Sequence, residues 1–358
     1  MSLSIGIVGL PNVGKSTLFN ALTDNEILAA NYPFATIEPN TGIVPVPDSR
    51  MPKLAKIFGS ERILPATVTF VDIAGLVAGA SKGEGLGNKF LANIRNTEAI
   101  AHIVRAFEND DIVHVSNKVS PLDDIEVINA ELCLADMQTI DGRLQRLLKE
   151  LKGNPKAAGI IAYLEGLKAH LDEGTLLSTL PSLDMEVIYD LHLLTAKPVI
   201  YVFNVDEETL ANSERQQELV KMVAPSQAIF VSAKLEEELR GLDEADAAEM
   251  LEGYGVHETG LTQLIHAAYE TLGLQSYLTA GPKEVRAWTI HQGDTAPQAA
   301  GVIHTDFERG FIAAQVVDFD HLIAAGSMTA AKAAGKVRTE GKEYIMQPGD
   351  VVEFRFNV

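Results

Sequence analysis

The chain has 358 residues, of which 46% are apolar and 22% are charged, with a formal net charge of −20 at pH 7. This charge argues against indiscriminate nucleic-acid binding, and a single cysteine, Cys133, excludes an internal disulfide framework and a cysteine-based zinc site. No run of apolar residues approaches the 18 that span a membrane. We therefore expect a cytoplasmic protein without a membrane or DNA partner, and any RNA partner must meet a local patch or act through ribosomal protein.

In chain order, apolar segments rich in β-branched residues alternate with helical ones through most of the first 280 residues. This pattern is typical of a parallel sheet covered by helices on both faces, an α/β fold. The predicted strands are 4–8, 42–46, 67–71, 101–106, 199–203 and 228–231.

The alternation is interrupted between residues 122 and 197. Apolar residues there recur at spacings of three and four, and Asn154-Pro155 separates a first long helix from a second over 157–172. A helical hairpin inserted between two strands explains this pattern better than ordinary covering helices, because the first helix is too long for that role. A last helix over 261–272 precedes a tail of short strands and small helices, which reads as a compact α+β domain. We expect a nucleotide-binding domain over 1–121 and 196–278, a helical domain over 122–195 and a third domain over 281–358.

Residues 9–16 read Gly-Leu-Pro-Asn-Val-Gly-Lys-Ser, the full phosphate-binding pattern Gly-x-x-x-x-Gly-Lys-Ser. The pattern lies between a predicted strand and a helix, the context it needs to wrap backbone N–H groups around a β-phosphate. Lys15 is expected to reach the β- and γ-phosphates, and Ser16 to ligate Mg²⁺. The predicted contacts from this loop are Asn12, Val13, Gly14, Lys15, Ser16 and Thr17.

A triphosphate switch also needs an acidic residue near the metal and a glycine near the γ-phosphate. Asp72-Ile-Ala-Gly75 follows a predicted strand and supplies both. Thr36 is the predicted second hydroxyl ligand of the metal, against the alternatives of a plain loop threonine or Thr41. The predicted Mg²⁺ ligands are thus Ser16, Thr36 and Asp72, with Lys15 and Gly75 assigned catalytic roles.

Base recognition by guanine-specific switch proteins uses Asn-Lys-x-Asp after the fifth strand, where this chain has Asn204-Val-Asp-Glu207. Val205 lacks a long stem to lie along the base, and Glu207 is one methylene too long for the bidentate contact to guanine. The loss of that acceptor removes roughly 1–3 kcal/mol of discrimination, so ATP is favoured over GTP. Asp206 is an alternative acceptor that would restore guanine binding. The base-backing loop is Ser232, Ala233 and Lys234.

The ordered set of these motifs, with Asn31-Tyr-Pro-Phe-Ala-Thr36 and the helical insertion, resembles the Obg-like ATPase family, YchF subfamily, over essentially the whole chain. The tail, with Arg286-Ala-Trp-Thr-Ile290, is similar to the family's TGS domain, a β-grasp module. The resemblance implies an ATPase with a P-loop G domain that binds ribosomes and acts in translation or stress responses.

The resemblance also bears on hydrolysis. Leu76 stands where many relatives have the glutamine that orients the attacking water, and we expect it to point away from the phosphate. His114 is similar to the histidine given that role in the family, although a lone histidine is more often a surface or capping residue. Asn12 matches an asparagine that helps to hold K⁺ in relatives, and a simple turn asparagine is the equal alternative.

Three functions remain open: a slow ATPase switch, a GTPase of the same fold, and a ribosome- or RNA-binding scaffold with a structural nucleotide. Intact Lys15, Ser16 and Asp72 disfavour the scaffold. Residues 281–358 contain 8 Lys and Arg against 10 Asp and Glu, so this segment is the least repelled by rRNA. The residues predicted to form a basic face are Lys332, Lys336, Arg338 and Lys342. The alternative is that these charged side chains simply face solvent.

Overall fold

The computed structural model describes residues 3–23, 40–73, 86–109, 114, 118–151, 157–239 and 241–357. The chain divides into two compact units, Met1–Ile43 with Thr69–Leu264 and Val44–Val68 with Ile265–Val358.

The described secondary structure comprises strands, α-helices and short 3₁₀ turns. The strands are β1 Ser4–Val8, β2 Thr41–Pro45, β3 Arg62–Leu64, β4 Thr67–Asp72, β5 Ala99–Arg105, β6 Val199–Asn204, β7 Gln227–Val231, β8 Leu274–Ala280, β9 Glu284–His291, β10 Phe311–Asp318, β11 Arg338–Glu340 and β12 Asp350–Phe356. The helices are α1 Lys15–Thr23, α2 Arg50–Phe58, α3 Leu86–Arg95, α4 Pro121–Glu150, α5 Ala157–Asp172, α6 Met185–Ile188, α7 Glu207–Leu210, α8 Ser213–Val223, α9 Ala233–Leu239, α10 Glu244–Gly253, α11 Gly260–Thr271, α12 Ala296–Ile303, α13 Thr305–Arg309, α14 Phe319–Ala325 and α15 Met328–Ala333.

The sheet of the first unit has the strand order β2-β4-β1-β5-β6-β7. β1 pairs in parallel with β4 and β5, and β5, β6 and β7 continue the parallel arrangement. β2 runs antiparallel to β4, as backbone hydrogen bonds from Asp72 to Asn40 and from Val46 to Ala66 indicate. β1, β5 and β6 are buried along their whole length, which explains their mostly apolar sequences. The predicted, mostly parallel α/β sheet is confirmed.

The strand order places a topological switch between β1 and β5. From β1 the chain goes to the edge strand β2, returns to β4 beside β1, and then continues to β5, β6 and β7 on the other side. Loops that leave the carboxyl ends of β1 and β5 diverge, and such a crevice is where open α/β sheets bind ligands. The phosphate-loop sequence follows β1 at this point.

The inserted helical hairpin consists of α4, 30 residues long, and α5. The two helices pack through the apolar residues Ile140, Leu144, Leu147, Leu164 and Leu167, which are all buried. Pro121 occupies the first turn of α4, where its missing N–H costs nothing. The predicted hairpin is therefore present, and the second helix has the predicted bounds.

The sheet of the second unit has the order β11-β10-β12-β8-β9-β3. Its core lies between the sheet and α12 and includes Tyr277, Phe311 and Val352, while α2 packs against β8, β9 and α14. This is the β-grasp-type α+β domain that the sequence predicted.

Two strands of this unit were not predicted. β3 is only three residues long and joins the sheet beside β9, and β8 pairs antiparallel with β9. As a result, residues 44–68 belong to the second unit, although the sequence assigned them to the nucleotide-binding domain. The three-domain division itself stays a prediction.

None of the helices described here combines the length and apolar character that crossing a membrane requires.

Candidate active site

The phosphate loop leaves the carboxyl end of the buried strand β1. Asn12 and Gly14 adopt left-handed backbone conformations, with φ of 63° and 94°. Glycine tolerates such a conformation without strain, and asparagine is one of the few other residues that adopt it. A Cβ at Gly9 would lie 2.8 Å from the carbonyl oxygen of Ile103 in β5, so only glycine fits this close approach. These glycines let the loop turn back toward the start of α1.

Helix α1 begins at Lys15 and buries Leu18 and Leu22 beneath the sheet. Ser16 and Thr17, in its first turn, are exposed. A helix N-terminus carries free backbone N–H groups and partial positive charge, which favour a bound phosphate. The exposed first turn therefore suits the predicted phosphate contacts.

Lys15 forms an ion pair with Asp72, the last residue of β4, and both side chains are mostly buried. The fold thus brings together a cation that suits phosphate and a carboxylate that suits a metal. Hydroxyl and carboxylate oxygens such as those of Ser16 and Asp72 fit Mg²⁺, which commonly takes few protein ligands and completes its shell with phosphate and water. Within the described part of the chain, no three His, Cys, Asp or Glu side chains form a cation site of their own.

Thr36, Gly75 and Leu76 lie outside the described residues, as does the motif 31–36. Thr41, the lesser metal candidate, is the first residue of β2 and is half-buried.

A pocket of about 340 Å³ opens beside the phosphate loop. Its volume lies in the range of small-ligand sites. The lining comprises predicted residues and a few others: Asn12, Gly14, Thr17, Asn204, Val205, Asp206, Glu207, Ser232, Ala233 and Lys234, together with Phe107, Glu108, Asn109 and Glu237. The predicted base loops therefore meet the phosphate loop at one cavity.

Asn204 joins the two predicted binding loops. Its Nδ2 donates to the carbonyl oxygen of Val13 at 3.0 Å, and its Oδ1 accepts from the N–H of Ala233 at 3.2 Å. The residue is buried, and a Cβ at Gly14 would collide with its amide. In this structure both ends of the side chain bond to protein backbone, so its predicted contact with the base stays a prediction.

The residues that replace the guanine motif have distinct environments. Val205 is buried, and its N–H donates to the carbonyl oxygen of Val231 at 2.9 Å. Glu207 accepts a hydrogen bond from Lys234 at 2.8 Å, which lowers the pKa of the Glu207 carboxyl. Asp206 caps α7 by accepting from the N–H of Thr209 at 2.8 Å, so one of its oxygens is already used.

The base-backing loop is held at its first residue. Ser232 is buried, and its Oγ accepts from the N–H of Leu235 at 3.3 Å at the start of α9. Lys234 is exposed and reaches across to Glu207. The loop therefore contributes one cation to the rim of the pocket.

Arg105 and the segment that it supports were missed by the sequence analysis. The arginine is 1% exposed and donates from Nε to the carbonyl oxygen of Phe107 at 3.2 Å and from Nη2 to that of Asn109 at 3.1 Å. Its guanidinium carbon lies 4.6 Å from the centroid of the Phe107 ring. The sequence did carry one signal for this segment, namely its position. Residues that follow β5 flank the switch point of the sheet, where ligands bind.

His114 lies in the interior of the first unit. Its Nε2 is 2.9 Å from Oδ2 of Asp124 in α4, and the two side chains are 3% and 4% exposed. This placement differs from the surface or capping position that a lone histidine usually takes. Its predicted catalytic role stays a prediction.

The parallel sheet, the phosphate loop at its switch point and the Lys15–Asp72 pair define the class of P-loop nucleoside triphosphatases. Residues 4–138 match a family described as 50S ribosome-binding GTPase, and residues 274–357 match YchF-GTPase_C, described as Protein of unknown function (DUF933). The chain belongs to the YchF family. It is 53% identical to the ribosome-binding ATPase YchF of Haemophilus influenzae and 50% identical to that of Bacillus subtilis, and each alignment covers 100% of both chains.

The fold comparison agrees with this assignment. A structure of the Schizosaccharomyces pombe YchF GTPase matches with a TM-score of 0.85 at 37% identity, covering 99% of this chain and 98% of the other. The relatives' names disagree about the nucleotide, since the bacterial proteins are called ATPases and the yeast protein a GTPase. The names alone therefore do not fix which base this chain binds.

Proposed function

We propose that this protein is a ribosome-associated ATPase that hydrolyses ATP to ADP and phosphate as a slow conformational switch. The observation that carries the proposal is that the phosphate loop and the altered base loops line one pocket, while Lys15 of the same loop pairs with Asp72. The names of the bacterial relatives, ribosome-binding ATPases, support the same activity and partner. Ribosome binding would place the protein in the cytoplasm.

In the proposed reaction, the ammonium group of Lys15 leaves Asp72 and neutralises charge on the β- and γ-phosphates. Ser16, Thr36 and Asp72 would hold Mg²⁺, which withdraws charge from the phosphate oxygens when bound. The N–H of Gly75 would contact the γ-phosphate, and His114 would orient the attacking water in place of the glutamine that Leu76 replaces.

Base selection in this proposal depends on Glu207. The hydrogen bond from Lys234 lowers the pKa of the Glu207 carboxyl and directs that carboxyl along the pocket rim. A carboxylate held this way is not positioned for the bidentate contact that guanine requires, so ATP is bound in preference to GTP. Asp206 is a poor substitute acceptor because it caps α7. GTP hydrolysis by the same site is the alternative activity.

Two further features of the proposal concern ions and partners. Asn12 would contribute to a K⁺ site at the phosphates, and it lies at the exposed turn of the loop. An rRNA contact through the tail would use Lys332, Lys336 and Lys342, which are all exposed. Arg338 is a weaker candidate because it already pairs with Glu340 at 3.0 Å.

Lys15→Ala tests the activity directly. The variant should lose tight ATP binding and turnover, because the phosphates lose their ammonium partner. Lys53→Ala, which removes an exposed lysine of the second unit, is the matched control and should behave as wild type. Unchanged ATP affinity in Lys15→Ala would contradict the proposal.

A further inference from the structure

The contact between His114 and Asp124 is buried on both sides. An imidazole that orients a water molecule must present a nitrogen to that water. The ring of His114 is 3% exposed, and its Nε2 is committed to Asp124 at 2.9 Å. In this pose Asp124 holds the imidazole ring of His114, and the ring is not accessible to solvent.

Asp124 is not explained by the needs of its helix. It is the fourth residue of α4, and its own N–H donates to the carbonyl oxygen of Ser120 as part of the first turn. The exposed neighbour Asp123 already supplies negative charge to that turn. Burial raises the pKa of the Asp124 carboxyl, while His114 and Arg105 oppose that rise, so the cost of burying it is offset by its partners.

Arg105 anchors the same stretch of chain at its other described end. It binds the carbonyl oxygen of Asn109 at 3.1 Å, five positions before His114, and its charge acts on Asp124. A buried base therefore fixes Asn109 and a buried acid fixes His114. Asn109 also lines the nucleotide pocket.

We propose that Asp124 is a positioning residue that stores His114 in a buried pose, and that hydrolysis requires this pair to open. The inference rests on the proposed function of His114. It implies that basal turnover is limited by release of the imidazole, and that weakening the contact speeds turnover without changing how ATP binds.

Asp124→Asn tests the proposal, because the amide keeps the size of the carboxyl but loses its charge. Asp123→Asn makes the same charge change one residue earlier, at an exposed position. Accessibility of His114 is measured first, from its rate of modification by diethylpyrocarbonate, resolved by mass spectrometry. In wild type, His114 should react at least about tenfold more slowly than His291, His304 and His321, whose side chains are 65%, 60% and 52% exposed.

In Asp124→Asn the modification rate of His114 should rise by about tenfold, the scale of one hydrogen bond to a charged group. The kcat for ATP should rise with it at unchanged KM, and Asp123→Asn should change neither. An unchanged modification rate, or a kcat that falls at unchanged KM, would overturn the proposal. If Asp124→Asn does not fold, equal reactivity of His114 and the exposed histidines in wild type would overturn it.

The two hypotheses fail in different ways. If His114→Ala retains wild-type turnover, the catalytic role of the histidine is wrong, whereas the modification rates still decide whether Asp124 stores the ring. If His114→Ala is inactive and the Asp124→Asn rates are unchanged, the catalytic role survives and the storage by Asp124 is wrong.

Discussion

Glu207 is the residue at which the structure most directly bears on substrate choice. Its carboxylate is oriented by Lys234 at 2.8 Å and stands at the rim of the pocket. Shortening it by one methylene removes that orientation and restores the reach of an aspartate. We propose that this residue links the altered motif to the choice of base.

We expect Glu207→Asp to shift preference toward GTP, measured as the ratio of the ATP and GTP dissociation constants. Adding Val205→Lys, which restores the stem of the guanine motif, meets an obstacle because Val205 is 3% exposed. The single variant is thus the cleaner test, with the exposed neighbour Glu208→Asp as its control. A ratio unchanged from wild type would mean that base choice lies in the backbone around Ser232 to Lys234.

For individual residues, the sequence predicted which residue types form the site better than it predicted their hydrogen-bond partners. Lys15 pairs with Asp72, and the phosphate loop and the base loops line one cavity, because each of these segments lies at the carboxyl end of a strand of the same sheet. The bridging role of Asn204 and the burial of His114 were not predictable, because each depends on a partner that is distant in sequence or on another element. The burial of Arg105 was not predicted because it depends on hydrogen bonds to the carbonyl oxygens of Phe107 and Asn109, which the sequence does not show.

At the scale of elements, Asp136 fixes the long helix α4 to the chain that leads into β6. It is fully buried and accepts from the N–H groups of Leu194 and Thr195 at 2.9 and 2.7 Å and from the hydroxyl of Thr195 at 2.6 Å. Two backbone donors depend on this single carboxylate. The insertion is thereby anchored beside the sheet.

Asp136→Ala should lower the free energy of unfolding by about 2–5 kcal/mol, because two buried N–H groups lose their acceptor. Asp141→Ala, on the same helix, removes only a partly exposed pair with Lys168 and should cost less than about 1 kcal/mol. Urea denaturation of both variants provides the measurement. Equal losses in the two variants would show that the anchor contributes no more than a surface pair.

Glu236 of α9 makes a comparable contact with the start of α11, where it accepts from the N–H of Leu261 at 3.1 Å. Burial raises the pKa of its carboxyl above the ordinary value of 4.5. A group whose pKa is raised by folding stabilises the folded state most below that ordinary value, and the contribution is lost as the pH rises through the folded-state pKa.

Glu236→Gln retains an oxygen acceptor and cannot ionise. Its stability relative to wild type should therefore increase as the pH is raised from about 4 to 8, a window that starts near the ordinary pKa. Denaturation curves across this range test the sign, with the exposed Glu237→Gln as control. A relative stability that falls with rising pH would contradict the raised pKa.

Element boundaries were predicted well where burial is complete and poorly where it is partial. The strand Ser4–Val8 and the helix Ala157–Asp172 have the predicted bounds, because a fully buried strand and a helix preceded by Asn154-Pro155 leave clear patterns. β3 has three residues, of which two are exposed, so it has no apolar alternation to detect. β8 follows α11 after a short turn. The sequence predicted only a domain boundary in this region, so the strand was not recognised.

At the scale of the whole molecule, the division into units changes how the tail should be tested. Deleting residues 281–358 would remove β9 from its partner β8 and uncover α2, which packs on the same sheet. Such a truncation would expose core residues of the second unit, including Tyr277. Loss of ribosome binding in the truncated chain would then be explained equally by the missing contact residues and by the disrupted fold of the second unit.

Charge reversal is the sharper experiment. Lys332→Glu, Lys336→Glu and Lys342→Glu together should weaken co-sedimentation with ribosomes and make the remainder less sensitive to salt, since phosphate contacts release counterions. ATP affinity should stay within a few-fold of wild type. Charge reversal of the exposed Lys53 and Lys56 on α2 is the control. If the triple variant still co-sediments fully with ribosomes, the tail is not the contact and the helical hairpin becomes the candidate.

The central claim is that this P-loop site binds and hydrolyses ATP in preference to GTP. Paired binding isotherms of ATP and GTP on the full-length protein in Mg²⁺ test it most directly, with turnover of both followed in K⁺ and in Na⁺. We predict ATP binding that is tighter by about tenfold or more, since a lost bidentate acceptor is worth roughly 1–3 kcal/mol. Equal or tighter binding of GTP would contradict the account.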